Sequence, residues 1–333
     1  VIIAVPVDFP DSALEAEVLD DLARVEESLA STAHPDDELL TEASRHLIAA
    51  GGKRFRALLV LLAARFGDPA DPRVIQAALA IELTHLATLF HDDVMDEAQL
   101  RRGSSSANSR WDNSVAILTG DFLFAQASLI LAELGPDAVR IQAQTFSRLV
   151  TGQTAETVGA RPGQDPLDFY LQVLREKTGS LIATAGQFGA MFSGAPDWIS
   201  NRIAVACEQL GVAWQLSDDL IDIASGQAES GKTPGTDLRQ GVRTLPVLYA
   251  LRSAVQSPAE ARLRWLLTEA DLADDALLAE ALGLLRGHHA MKEARADVLN
   301  WALGARKEIM TLPDVPARAA FLAMCDFVEK RTG

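Results

Sequence analysis

Apolar residues recur at i, i+3, i+4 and i+7 along almost the whole chain, the period of an α-helix, while strand signals are poor. The period runs through Leu14 to Leu29, Glu38 to Ala49, Arg56 to Phe66, Val74 to Met95, Val115 to Leu134 and Ala138 to Thr151. It resumes in Pro166 to Ser193, Ser200 to Ala224, Thr244 to Val255, Asp275 to Ala302 and Val315 to Arg331. Breaks fall where Gly, Pro, Asp and Ser gather, as in GDPADP at 67–72, RRGSSSANS at 101–109 and SGQAESGKTPGTD at 225–237. Two segments, ALLVLLAARFG and AILTGDFLFAQASLILAEL, are apolar on most sides. Helices of that kind belong at the centre of a multilayer bundle. No repeat, low-complexity tract or long linker divides the chain, so the expectation is one all-α domain over 1–333, with 1–12 as a loose arm.

Composition narrows the function. The net charge is −16, which argues against a nucleic-acid partner, since such a protein needs a basic face to displace counterions. Two cysteines, Cys207 and Cys325, are too few for a disulfide scaffold or a zinc ribbon and read as small buried apolar residues. No run of 18 consecutive apolar residues is present, so no transmembrane segment is expected. The opening VIIAVPVDFPDSALEAE lacks a basic n-region and does not read as a signal peptide. A cytoplasmic protein is the default expectation.

Two acidic triplets break local rules in the same way. HDDVMDEAQLRRG holds Asp92, Asp93 and Asp96; QLSDDLIDIASG holds Asp218, Asp219 and Asp222. In each, the first and last aspartates are i, i+4 and share a helix face. Asp is a poor helix former, like charges one turn apart repel, and the negative end of the helix dipole disfavours anions. Such violations, repeated, mark a functional site. Oxygen ligands without His or Cys suit a hard cation, and Mg²⁺ takes one or two carboxylates together with substrate phosphates.

The cations also gather in particular places. GGKRFR carries Lys53, Arg54 and Arg56, with 53 and 56 facing the same way if a helix begins there. Arg101 and Arg102 follow the first triplet, Lys177 lies in REKTGS and Lys232 in SGKTPGTD. His85 is two turns before Asp92 on the same face. The set describes two anion sites: one bridged by Mg²⁺ between the triplets, the other built from Lys, Arg and His. His288 and His289 have no sequence neighbour spaced to make a metal site with them.

GGKRFRALL, HDDVMDEAQLRRG, GDFL, EKTGSL, QLSDDLIDI and GKTPGTDL…TLPVLYAL together resemble the trans-prenyltransferases, the polyprenyl diphosphate synthases. The motifs follow the family's order from about residue 45 to 255. The resemblance implies the all-α isoprenoid synthase fold, a multi-helix bundle around a central cavity, and a homodimer. It implies that Asp92, Asp96 and Asp218 bind three Mg²⁺ ions, with Asp93, Asp219 and Asp222 in support. Lys53, Arg56, His85 and Arg102 would hold isopentenyl diphosphate; Arg101, Lys177 and Lys232 would hold the allylic diphosphate. Thr178 and Gln215 would point their dipoles at the cationic carbon chain, and with Lys177 and Lys232 they make up the catalytic set. One departure is that Val242 stands where the family often has lysine; Arg243 is one position on and receives no role.

The implied reaction is head-to-tail 1′-4 condensation, with the released diphosphate as base. In this family a Phe or Tyr four or five residues before the first aspartate closes the pocket after short products. Here those positions are Thr88 and Ala87, so an open tunnel and a product beyond C20 are expected. Two rivals share the scaffold. A class I terpene cyclase would not need the second triplet or Lys53 and Arg56. A non-catalytic subunit of a heteromeric synthase would show decayed aspartate boxes, and both boxes are intact.

Overall fold

The computed structural model describes residues 9–32, 37–224 and 234–331. Its helices are α1 (Ser12–Thr32), α2 (Glu38–Ala49), α3 (Phe55–Ala64), α4 (Pro72–Met95), α5 (Ala107–Arg110), α6 (Asn113–Leu134), α7 (Pro136–Val158) and α8 (Pro166–Leu174). After a π-helical turn at Arg175–Gly179 come α9 (Ser180–Phe192), α10 (Asp197–Ala224), α11 (Thr236–Arg239) and α12 (Leu245–Arg252). The remainder are α13 (Pro258–Thr268), α14 (Asp275–Gly287), α15 (Ala290–Ile309) and α16 (Pro316–Lys330). The only sheet among the described residues is a ribbon of two strands, β1 (Leu100–Arg101) antiparallel to β2 (Ser104–Ser105).

Part of the acidic excess starts these helices. Asp37, Asp71, Asp112, Asp165 and Asp274 each accept backbone N–H bonds from the first turn of α2, α4, α6, α8 and α14. A cap of this kind stabilises by about 1 kcal/mol. Pro72, Pro166 and Pro258 sit in first turns, where a missing N–H costs nothing.

The chain divides into two compact units. The first comprises Val1–Ser147, Ser180–Cys207 and Glu308–Ala323. At its centre is α3, whose residues Ala57 to Ala64 are all buried, as a helix apolar on every side requires. It packs against α4 and α9, and α4 packs in turn against α6. Gly189 of α9 lies so close to α3 that a Cβ there would run into the Val60 carbonyl. The second unit comprises Arg148–Gly179, Glu208–Lys307 and Met324–Gly333. In it α12 packs with α8, α13 and α14, and Arg148 joins Glu176 (2.8 Å) to Glu208 (2.5 Å).

Several expectations change. Pro166 to Ser193 is not one helix but α8, a π turn and α9. Asp275 to Ala302 is broken at His288 and His289, where α14 ends and α15 begins. α13 and the ribbon went unpredicted, because α13 is short and its face is interrupted by Glu260, Arg262 and Arg264. Asp121, the charge inside apolar α6, is exposed and lies 3.4 Å from His91 Nε2. By length and hydropathy α4 and α6 could each cross a membrane, but 72% of the α4 window is buried in the protein, so packing accounts for its apolar character. Cys207 and Cys325 are buried and not joined in a disulfide, and burial pushes the Cys325 thiol up to about 12.

The first unit also buries a charge network that the periodicity hides. Glu82 of α4 is 2% exposed; it accepts the Ala57 N–H at the start of α3 (3.0 Å) and lies 3.7 Å from Arg54 Nη1. Arg54 is itself buried and donates to Glu26 of α1. Glu82 thus ties the start of α3 to the middle of α4. Its loss would leave a buried guanidinium short of a counter-charge. Glu82→Ala should cost about 3 kcal/mol in urea unfolding; a change under about 0.5 kcal/mol would show the network to be dispensable.

Candidate active site

In the first unit the two glycines of GGKRFR shape the approach to α3. Gly51 and Gly52 both have positive φ (77° and 157°). A Cβ on Gly52 would stand 2.9 Å from the Arg102 guanidinium carbon, so the guanidinium lies flat on bare backbone. Arg102 donates from Nη1 to the Gly51 carbonyl and, at 3.4 Å, to the Leu47 carbonyl. The three cations of the motif then separate. Arg54, left-handed at the N-cap of α3, turns inward to Glu26; Lys53 is exposed and Arg56 half-buried. The Ala57 N–H in the first turn of α3 is taken by Glu82.

α4 carries His85, Ala87, Thr88 and the first triplet up to its C-cap, Asp96, whose N–H donates to the Asp92 carbonyl at 2.8 Å. The triplet splits by helix face. Asp93 is 1% exposed and accepts from Arg101 Nε at 2.6 Å, whereas Asp92 is half-buried and Asp96 exposed. Burial pushes the Asp93 carboxyl up, and Arg101 acts against that shift. Around His85 stand Arg56, Arg102, Arg54 and Arg101. Burial first, and then these cations in that order, hold its imidazole well below the usual range, so it is neutral at pH 7. Burial and crowding by Arg54 likewise lower Arg102 to about 10, with Glu82 opposing. Lowering of Arg56 by burial is resisted by Glu82 and Asp92. This is a pocket short of negative charge. Thr88 turns its Oγ1 back to the His85 carbonyl (2.8 Å) and Ala87 is fully buried.

In the second unit the triplet of α10 splits in the same way. Asp219 is 4% exposed, with Tyr170 Oη donating to one oxygen and Gln215 Nε2 to the other at 3.3 Å. Burial, then Asp237 and Asp222, push its carboxyl well above the ordinary range. Asp222 accepts the N–H groups of Thr236 (3.3 Å) and Asp237 (3.2 Å), fastening the start of α11. Asp218 is 40% exposed and accepts from Arg331. Lys177 and Thr178 lie half-buried in the π turn, a distortion common at functional sites, and Lys177 donates to Glu156. A Cβ on Gly152 would come within 2.6 Å of the Lys177 backbone nitrogen, so α7 must carry glycine there. Lys232 lies outside the described residues. Val242 and Arg243 are both exposed.

Comparison with known proteins supplies the family. The family model described as polyprenyl synthetase matches residues 37–285. The chain belongs to the polyprenyl synthetase family. It is 49% identical over 328 residues to nonaprenyl diphosphate synthase of Mycobacterium tuberculosis, covering 98% of this chain and 97% of that protein. It is 42% identical over 321 residues to a dimethylallyltranstransferase of the same organism, covering 96% and 97%. Its fold matches the crystal structure of geranylgeranyl pyrophosphate synthase from Corynebacterium glutamicum, complexed with calcium and isoprenyl diphosphate. There the TM-score is 0.88 at 45% identity, covering 98% of this chain and 100% of that one. The protein is therefore an all-α, Mg-dependent prenyltransferase that joins isopentenyl diphosphate head-to-tail to an allylic diphosphate.

Sequence reasoning missed Tyr170, Arg331 and Glu82. All three depend on long-range pairing, although Tyr170, one of only two tyrosines, offered a signal of its own. It also left His288 and His289 without a partner, whereas Glu260 brings a carboxylate oxygen within 4.8 Å of both rings. That trio has ordinary work to do: Glu260 accepts the Gln256 N–H (2.6 Å), His288 Nδ1 the Ala290 N–H (3.1 Å), and His289 Nε2 bonds Ser253 Oγ (2.8 Å). It shares no residue with either triplet.

The neutral His85 has a measurable consequence. An unfolded imidazole titrates near 6.5, so below that pH the unfolded chain binds a proton that the folded chain refuses. The histidine's contribution to stability is complete above about pH 6.5 and is lost as the pH falls below it. His85→Gln should flatten the decline in Tm between about pH 6.5 and 5 relative to the parent. Parallel curves for the two proteins would mean that His85 is not held neutral.

Proposed function

We propose that the enzyme extends an allylic diphosphate beyond C20, with Asp92, Asp96 and Asp218 as ligands of three Mg²⁺ ions. The observation that carries the reading is the matching split of the two triplets. In each, the second aspartate is buried and partnered by a neighbour, while carboxylates one turn apart, or beside it, keep oxygens near the surface. An all-oxygen donor set of this kind fits a hard divalent cation. Bound there, Mg²⁺ supplies Lewis-acid stabilisation of the leaving diphosphate. Asp93, Asp219 and Asp222 hold the backbone and neighbouring side chains in register.

The remaining roles follow the same reading. Lys53, Arg56, His85 and Arg102 bind isopentenyl diphosphate: Arg56 and Arg102 stand about His85 where positive charge is in excess, a diphosphate would relieve that excess, and Lys53 belongs to the same GGKRFR motif. Arg101, Lys177 and Lys232 bind the allylic diphosphate. As its C–O bond breaks, these preorganised cations stabilise the departing charge, and Thr178 and Gln215 turn oxygens toward the allylic carbon. The isopentenyl double bond attacks that carbon, and a proton is then lost to the diphosphate. Exclusion of water protects the cationic carbon. Asp92→Ala should lower turnover at least about a hundredfold while the helical circular dichroism stays intact. Near-normal turnover would remove the first triplet from the chemistry.

Product length beyond C20 is supported by Thr88 and Ala87, small residues one turn before Asp92, and by the 49% identity to a nonaprenyl diphosphate synthase. Thr88→Phe should shift the products to shorter chains on reversed-phase chromatography, and an unchanged distribution would count against this wall.

A homodimer in the cytoplasm completes the reading. Leu118, Asp121, Ala125, Leu129 and Ala132 recur at helical spacing along α6 and are all exposed, and only 33% of the apolar window of that helix is buried. A second copy would cover this stripe. The double variant Leu118→Glu, Leu129→Glu should sediment as a monomer; a parent that is itself monomeric at micromolar concentration would refute the dimer.

A further inference from the structure

Trp214 and Asp218 are one turn apart on α10; Phe327 of α16 and Arg331, just beyond it, repeat that spacing. The rings of Trp214 and Phe327 stack with centroids 5.6 Å apart and planes 24° apart. The Arg331 guanidinium lies over this shelf, 4.6 Å from the Trp214 centroid and 5.6 Å from that of Phe327. From there Nη2 donates to Asp218 Oδ1. Nη1 is buried without a hydrogen-bond partner. The arginine is therefore well seated by stacking but only half satisfied by hydrogen bonding. A one-pronged pair is held less tightly than a bidentate fork.

We propose that Arg331 is a displaceable counter-ion that competes with magnesium for Asp218, so that loading the second aspartate cluster and release of this guanidinium are one event. The inference rests on the reading of Asp218 as a metal ligand. A guanidinium and a divalent cation on one carboxylate repel each other at a few ångströms, in surroundings less screened than bulk water. Arg331 also offsets the mutual repulsion of Asp218, Asp219 and Asp222. A ligand that binds one of two exclusive arrangements shifts the balance by its difference in affinity, so each occupant weakens the other.

Magnesium titration by calorimetry on the full chain, without prenyl substrates, separates the cases. Arg331→Ala should bind magnesium about fivefold more tightly than the parent, the size expected of a partly exposed ion pair. Arg331→Lys, which keeps the charge but loses the planar stack, should fall between. Asp218→Asn should weaken binding. If Asp218→Asn weakens binding but Arg331→Ala leaves it unchanged or weaker, Arg331 does not compete and the inference fails while the ligand reading stands. If Asp218→Asn binds magnesium like the parent, the ligand reading itself fails. A second readout needs no arginine variant: magnesium should change the tryptophan emission of the parent as the cation leaves the Trp214 face, and Trp214→Phe should abolish that change. A parent whose emission is indifferent to magnesium overturns the proposal.

Discussion

The structure has to keep carboxylates at the ends of apolar helices, where helix dipoles and mutual repulsion both oppose them. It does so by giving four of the six aspartates a neighbour of their own. Asp93 is buried against Arg101, Asp219 against Tyr170 and Gln215; Asp222 fastens α11 and Asp218 meets Arg331. The helical turn explains why the second residue of each triplet is the buried one. Residues one turn apart share a face, and the residue between them in number points about 100° away, into the packing. GGKRFR is sorted differently, because α3 begins only at Phe55: the left-handed backbone at Arg54 takes that side chain to Glu26, while Lys53 is exposed and Arg56 half-buried.

Charge is organised at a second level by backbone geometry. Gly51 and Gly52 bring bare peptide against Arg102, and the π turn at Arg175–Gly179 sets Lys177 and Thr178 off the regular helical track. Both devices place cations where side-chain packing alone would not. The imidazole of His85 stays neutral first because it is buried and then because the arginines around it repel a further positive charge. A diphosphate would reverse that imbalance, which is why the motif reads as a receptor and not as a surface patch.

Helix existence was legible because the apolar period is strong, and α2 spans the very residues that the period marks. Where the reading went wrong, a local distortion leaves the period nearly intact. Five residues of π turn inside Pro166 to Ser193 do not interrupt the apolar pattern, and neither does the break at His288 and His289. The aspartate triplets stood out because they violate helix rules nearby in sequence. Tyr170, Glu82 and Arg331 did not, since each acquires its role from a partner between 25 and 113 residues away. Asp121 lies in an apolar stretch of sequence, yet the face of α6 that carries it is exposed.

The central claim is that these carboxylates exist to hold divalent ions against a prenyl diphosphate. Diffraction from crystals grown with magnesium and an unreactive allylic diphosphate analogue tests it most directly. The account predicts ions held by Asp92, Asp96 and Asp218 beside the analogue. An analogue bound through Lys and Arg alone, with no ion on any of the three aspartates, would contradict it.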